Sequence, residues 1–167
     1  PSGPPPLRII AAKSGEFPLT DAQREMWLAA LMDERASKSY NLTFLIHMKG
    51  TLDRRALLES LQVLVDRHDS LRTSFDLEKP VQRIVPRLTL DVRQTDGTSW
   101  NPVDRPKKLE SLALEQGDTE FNLAVAPLLR AHLVQTAPDM HVLVLTFSHL
   151  IADGWSFGVL LHELKVT

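Results

Sequence analysis

Val142-Leu143-Val144-Leu145-Thr146-Phe147-Ser148-His149-Leu150-Ile151-Ala152-Asp153-Gly154-Trp155-Ser156 is the stretch that decides how this sequence is read. Its first six residues are almost continuously apolar. A run of that length is a strand buried on both faces, in the middle of a sheet. It is far too short to span a bilayer. The strand delivers His149 to the end of the sheet, and a turn containing Asp153 and Gly154 follows. A helix is expected from Ser156 to about Lys165, capped by Ser156. Loops at the ends of rigid strands often carry chemistry, because the scaffold fixes them at an accessible edge. The unperturbed pKa of histidine lies near neutrality, so it can accept and return a proton. On this pattern alone His149 has two readings: a packed, hydrogen-bonded residue or a proton carrier.

Working outward, Leu128–Gln135 is a second strand, joined to His141–Phe147 by a turn at Ala137-Pro138-Asp139. Thr20 to about Asp33 reads as a helix, with Thr20 and Gln23 spaced as a capping box and Ala22, Met26, Ala29 and Ala30 on one face. Met26 and Trp27 are core or interface residues. Tyr40–Lys49 reads as a strand ending at Gly50. Leu52–His68 is the clearest helix, with Leu57, Leu58, Leu61, Leu64 and Val65 as its apolar stripe. Leu71–Leu77 and Val81–Val85 form an expected hairpin. Thr89–Arg93 is a further strand, Thr95–Pro106 a loop rich in turn formers, and Asp104–Gln116 a helix. Strands and helices alternate without regular βαβ spacing. The expected fold is therefore an α/β sandwich with a mixed sheet and flanking helices.

Composition bounds the function. The sequence has 167 residues, 43% of them hydrophobic and 24% charged, with a net charge of −2. These values suit one globular domain and argue against a nucleic-acid binder, which shows a basic excess. The absence of cysteine removes disulfides, thiolate metal sites and Cys nucleophiles, and suits a cytoplasmic setting. His47, His68, His132, His141 and His162 show no metal-ligand spacing, and no glycine-rich phosphate loop is present, so no metal and no bound cofactor are expected. Residues 1–16, with Pro1, Pro4, Pro5 and Pro6, read as a semi-rigid linker or a frayed terminus, with order from about Phe17.

Three segments together carry a resemblance. Ser148-His149-Leu150-Ile151-Ala152-Asp153-Gly154 resembles the H-H-x-x-x-D-G motif of nonribosomal peptide synthetase condensation domains. Arg67-His68-Asp69-Ser70-Leu71-Arg72-Thr73-Ser74-Phe75 resembles the R-H-E-x-L-R-T-x-F motif of that family. Leu19-Thr20-Asp21-Ala22-Gln23-Arg24-Glu25-Met26-Trp27 resembles its opening S-x-A-Q-x-R-x-W motif, in a form most similar to condensation domains of hybrid polyketide–peptide assembly lines. The segments fall in family order and cover the sequence from about Phe17 onward.

The resemblance implies a chloramphenicol-acetyltransferase-like lobe over residues 17–167, the N-terminal one of two that enclose a tunnel. The C-terminal lobe, with its latch and bridging strands, is expected to lie outside this sequence. The implied activity is amide formation between a carrier-bound acyl donor and a carrier-bound aminoacyl acceptor. Phosphopantetheine arms then arrive on upstream and downstream carrier domains. It implies His149 as the catalytic residue, with Ser148 standing where the family usually has its first His. It implies structural support from Asp153, Gly154, Arg72 and Ser148, with Asp153 paired to Arg72 or, in competition, to Arg67. Gly154 is expected to supply a positive φ or a close backbone approach, and Trp155 to pack rather than contact substrate. The rival readings are a related H-x-x-x-D acyltransferase and a noncatalytic carrier-docking module.

Overall fold

A computed structural model describes residues 14–166. The proline-rich segment of the expected linker lies outside the described residues. Gly15 and Glu16, assigned to that linker, instead open the first strand. The elements run β1 (Gly15–Pro18), α1 (Asp21–Met32), α2 (Glu34–Ser39), β2 (Asn41–Lys49), α3 (Arg54–Arg67), β3 (Thr73–Phe75), β4 (Val81–Ile84), β5 (Val92–Asp96), α4 (Arg105–Asp118), β6 (Leu129–Ala137), β7 (Met140–Ser148) and α5 (Gly154–Val166).

β7 sits in the middle of a four-stranded mixed sheet of order β2-β7-β6-β5, as its apolar run predicts. It pairs antiparallel with β2, from Asn41↔Ser148 to Lys49↔Met140, and antiparallel with β6. β5 lies parallel to β6. Every residue of β7 after Met140 is buried. Alternate residues serve different layers, because side chains on a strand point to opposite faces. Leu143, Leu145 and Phe147 join the α3 stripe and Leu160 of α5 in the main core. Val142 and Val144 pack with Val134 beneath Leu109 of α4. A second, three-stranded antiparallel sheet of order β1-β4-β3 stands beside this sandwich.

The α4 face of the sheet also holds a buried polar chain. Gln116 Nε2 lies 3.2 Å from His132 Nδ1, and His132 Nε2 lies 2.8 Å from Thr95 Oγ1. Thr146 Oγ1 donates to Gln116 Oε1 at 3.3 Å and lies 3.0 Å from Thr43 Oγ1. Burial, aided by the charge of Arg93 and opposed by that of Glu115, lowers the His132 pKa. A neutral ring that accepts at Nδ1 and donates from Nε2 satisfies every member of the chain.

Several expectations shift. In α1 the buried residue is Trp27, whose Nε1 donates to the Asp76 carbonyl at 2.7 Å, and Ala22 is exposed. Met26 and Ala30 of the expected face pack against the core, and Trp27 lies in it, as expected of a core or interface residue. The strand expected at Thr89–Arg93 is displaced to Val92–Asp96, because parallel pairing with β6 and the Thr95–His132 bond recruit residues that alone favour a turn. Leu71 and Arg72 belong to a 3₁₀ turn over Asp69–Arg72, not to the hairpin strand. The capping box of α1 is present as expected. So is the α3 stripe, with Leu57, Leu61, Leu64 and Val65 buried.

Candidate active site

His149 directly follows β7, in a turn that leads to α5, and is half-buried. Its backbone N–H donates to the Tyr40 carbonyl at 2.7 Å. Ser148, the last residue of β7, is buried, and its N–H donates to the Leu128 carbonyl. Its hydroxyl accepts the Leu150 N–H at 3.4 Å, while its carbonyl accepts the Ile151 N–H at 3.0 Å. The residue that departs from the family pattern thus braces the turn through its own backbone and hydroxyl.

Asp153 does not pair with Arg72 or Arg67. It is exposed and caps α5: one carboxylate oxygen accepts the Ser156 N–H at 2.7 Å and the Ser156 hydroxyl at 2.6 Å. The helix therefore starts two residues before the expected Ser156, which becomes the recipient of the cap. Those two hydrogen bonds are the main reason the Asp153 carboxyl is held below its ordinary value, with a smaller contribution from the charge of His149. Gly154 is the first residue of α5. The positive-φ glycines among the described residues are Gly15 and Gly50, and a Cβ at Gly154 would meet nothing within 4 Å, so neither expected role holds within this lobe. Trp155 does not pack: it is 83% exposed. With Val159 it presents apolar surface beside a shallow cavity of about 170 Å³ lined by His68, Ser70, Ala152 and Ser156.

Arg72 is fully buried. Its Nε donates to the Val65 carbonyl at 3.0 Å, one Nη donates to the Val85 carbonyl, and the other meets Asp69 at 2.5 Å. Val65 lies in the last turn of α3, where backbone carbonyls lack helical partners and a cation is favoured. The Arg72 side chain thus satisfies a carbonyl in the last turn of α3 and ties that end to Val85, just past β4. Arg67 and His68 both reach Glu163 of α5 at 2.9 Å.

These contacts fix the turn from below. Phe157 of α5 stacks on Phe44 of β2 at 3.7 Å and meets the edge of Phe147 of β7 at 6.5 Å. The start of α5 is held by the sheet and its end by α3. Sequence reasoning missed Asp69, Glu163 and Tyr40. Asp69, three residues before Arg72, had a local signal in its helical spacing. The other two meet their partners only through the fold.

Asp153→Ala is expected to lower the melting temperature of the lobe by only roughly a few degrees, as loss of an exposed cap does. The sign of its pH dependence follows from the lowered pKa. The cap stabilises fully above the carboxyl's ordinary value and is lost as pH falls through the lower native one. Thermal melts from pH 7 to pH 3 on both proteins check this: their difference should shrink at the acid end.

The family described as "Condensation domain" matches residues 13–167. A chondramide synthase of Chondromyces crocatus is 38% identical over 151 residues, covering 89% of this chain and 4% of that protein. Surfactin synthase subunit 2 of Bacillus subtilis (strain 168) is 36% identical over 159 residues, covering 93% of this chain and 4% of the synthase. Among solved structures, the starter condensation domain of rhizomide synthetase aligns with a TM-score of 0.80 at 22% identity, over 90% of this chain and 38% of that one. The first condensation domain of the calcium-dependent antibiotic synthetase aligns with a TM-score of 0.79 at 24% identity, over 90% of this chain and 36% of that one. The chain therefore spans a small fraction of the curated relatives and just over a third of the solved domains, and within that span the buried strand, its turn and the family match coincide: this chain belongs to the condensation-domain family.

Proposed function

We propose that this lobe supplies the His149 side of a chamber in which an amide bond forms between two carrier-bound groups. The acceptor amine attacks the thioester carbonyl of the donor. The C–N bond forms, the C–S bond breaks, and the donor phosphopantetheine thiol leaves with a proton. His149 takes a proton from the amine or orients it for attack. Holding both reactants on tethers makes positioning worth several kcal/mol of the barrier on its own. The lobe holds no cofactor of its own in this reading: the arms belong to upstream and downstream carrier domains. The rest of the domain covers the face that bears Trp155 and Val159, and the assembly works in the cytoplasm. The observation that carries the reading is the half-buried His149, set on a turn whose backbone is bonded to Tyr40, just before β2, and to Ser148.

Ser148 keeps a second reading in view, a docking module without turnover. The test uses a complete condensation domain containing this lobe, with donor and acceptor groups loaded on its two carriers. Intact mass spectrometry should show the donor acyl group moving onto the acceptor carrier. Carrier binding without transfer supports the docking reading. Transfer from a soluble thioester to an alcohol supports the related acyltransferase.

A further inference from the structure

The turn that carries His149 is held from one more direction, by a residue 127 positions away in sequence. Gln23, in the first turn of α1, donates from Nε2 to the Leu150 carbonyl at 3.1 Å. Its Oε1 accepts the Thr20 N–H at 3.1 Å, which completes the helix cap. Gln82 of β4 pairs with the same amide in both senses, at 3.4 and 3.3 Å, and donates to the Pro18 carbonyl at 3.1 Å. Both donors and both acceptor sites of the Gln23 amide are therefore used, and the network fixes which way the amide points.

From this we infer that Gln23 is a positioning residue: it clips the His149 turn to α1 and β4 and sets where the imidazole stands. The clip itself is a property of this lobe; its consequence for rate rests on the amide-forming function proposed above. Leu150 follows His149 directly, so its carbonyl is part of the peptide unit that orients the turn. The Tyr40 bond holds the His149 N–H, and Gln23 holds the carbonyl of the next residue, Leu150. Without Gln23 the turn loses its tie to α1 and β4.

Glutamate at position 23 separates the clip from the cap. Gln23→Glu keeps an oxygen facing the Thr20 N–H, and glutamate is itself a standard partner in the capping box. It keeps an acceptor for Gln82 but sets a carboxylate against the Leu150 carbonyl, where a donor is needed. A residue whose work is helix capping tolerates this change; a residue that positions the turn does not.

The experiment measures hydrogen exchange and the His149 ring resonances by NMR on this chain, beside a thermal melt. Gln23→Glu should speed exchange of the His149 and Ile151 amides about tenfold, as loss of one hydrogen bond does. The His149 ring signals should shift, while the melting temperature stays within about two degrees of wild type. In the complete domain kcat should fall about tenfold, with KM changed by less than about twofold. Unchanged exchange at those amides, or unchanged His149 resonances, overturns the inference. So does a large fall in melting temperature that raises exchange throughout the lobe, which marks a purely structural role. If the wild-type domain forms no amide, the functional proposal fails, and the exchange and resonance readouts still decide the clip.

Discussion

Arg72→Ala should destabilise the lobe by about 3–5 kcal/mol, a large share of the stability of a domain this size. Three costs combine. A fully buried large side chain leaves a cavity, and large-to-small core substitutions to alanine cost about 2–5 kcal/mol. The Val65 and Val85 carbonyls lose their donor, and the C-terminus of α3 loses its cation. Asp69 is 39% exposed, so water can solvate it once its partner is gone, and the estimate stays within this range. Urea denaturation of wild type and variant measures the difference. The pairing also makes a sharper test, because Arg72 bonds Asp69 and not Asp153. Combining Arg72→Ala with Asp153→Ala should give additive falls in melting temperature, whereas combining it with Asp69→Ala should give less than the sum. Strong coupling between Arg72 and Asp153 would restore the pair that the motif resemblance implies and contradict the geometry.

That pair shows where sequence stops being legible. The Arg67–Phe75 and Ser148–Gly154 motifs identify the residues that matter, but adjacency of motifs does not say which acid meets which base. Asp69 satisfies Arg72 locally, from the turn the two share, and leaves Asp153 free to cap α5. What was legible follows from local physics. The apolar run of β7 requires a mid-sheet place, the Leu57–Val65 stripe requires a core-facing helix, and Thr20 with Gln23 makes a cap. What was not legible depends on distant partners. β1 forms at Gly15 and Glu16, residues of poor strand propensity, because β4 pairs with them and Arg83 bonds Glu16 at 2.7 Å. β5 slides toward Asp96 because β6 is its template. The position of His149 was readable from the strand before it. The residues that hold its turn, Tyr40 and Gln23, come from the other side of the sheet's end and from α1.

His149→Ala is the variant with the largest expected effect on activity. The side chain makes no hydrogen bond among the described residues and interacts with Asp153 through charge alone. The backbone bond from position 149 to Tyr40 survives in alanine. Little stability is therefore at stake, whereas loss of a positioned acid–base group typically costs about 10²–10⁴ in rate. The decisive measurement is the single-turnover rate of amide formation in the complete domain, wild type against His149→Ala, below the melting temperature of both. The account predicts a fall of at least about 100-fold with superimposable melts. A variant that condenses at the wild-type rate, or one that loses activity only because it unfolds, would contradict it.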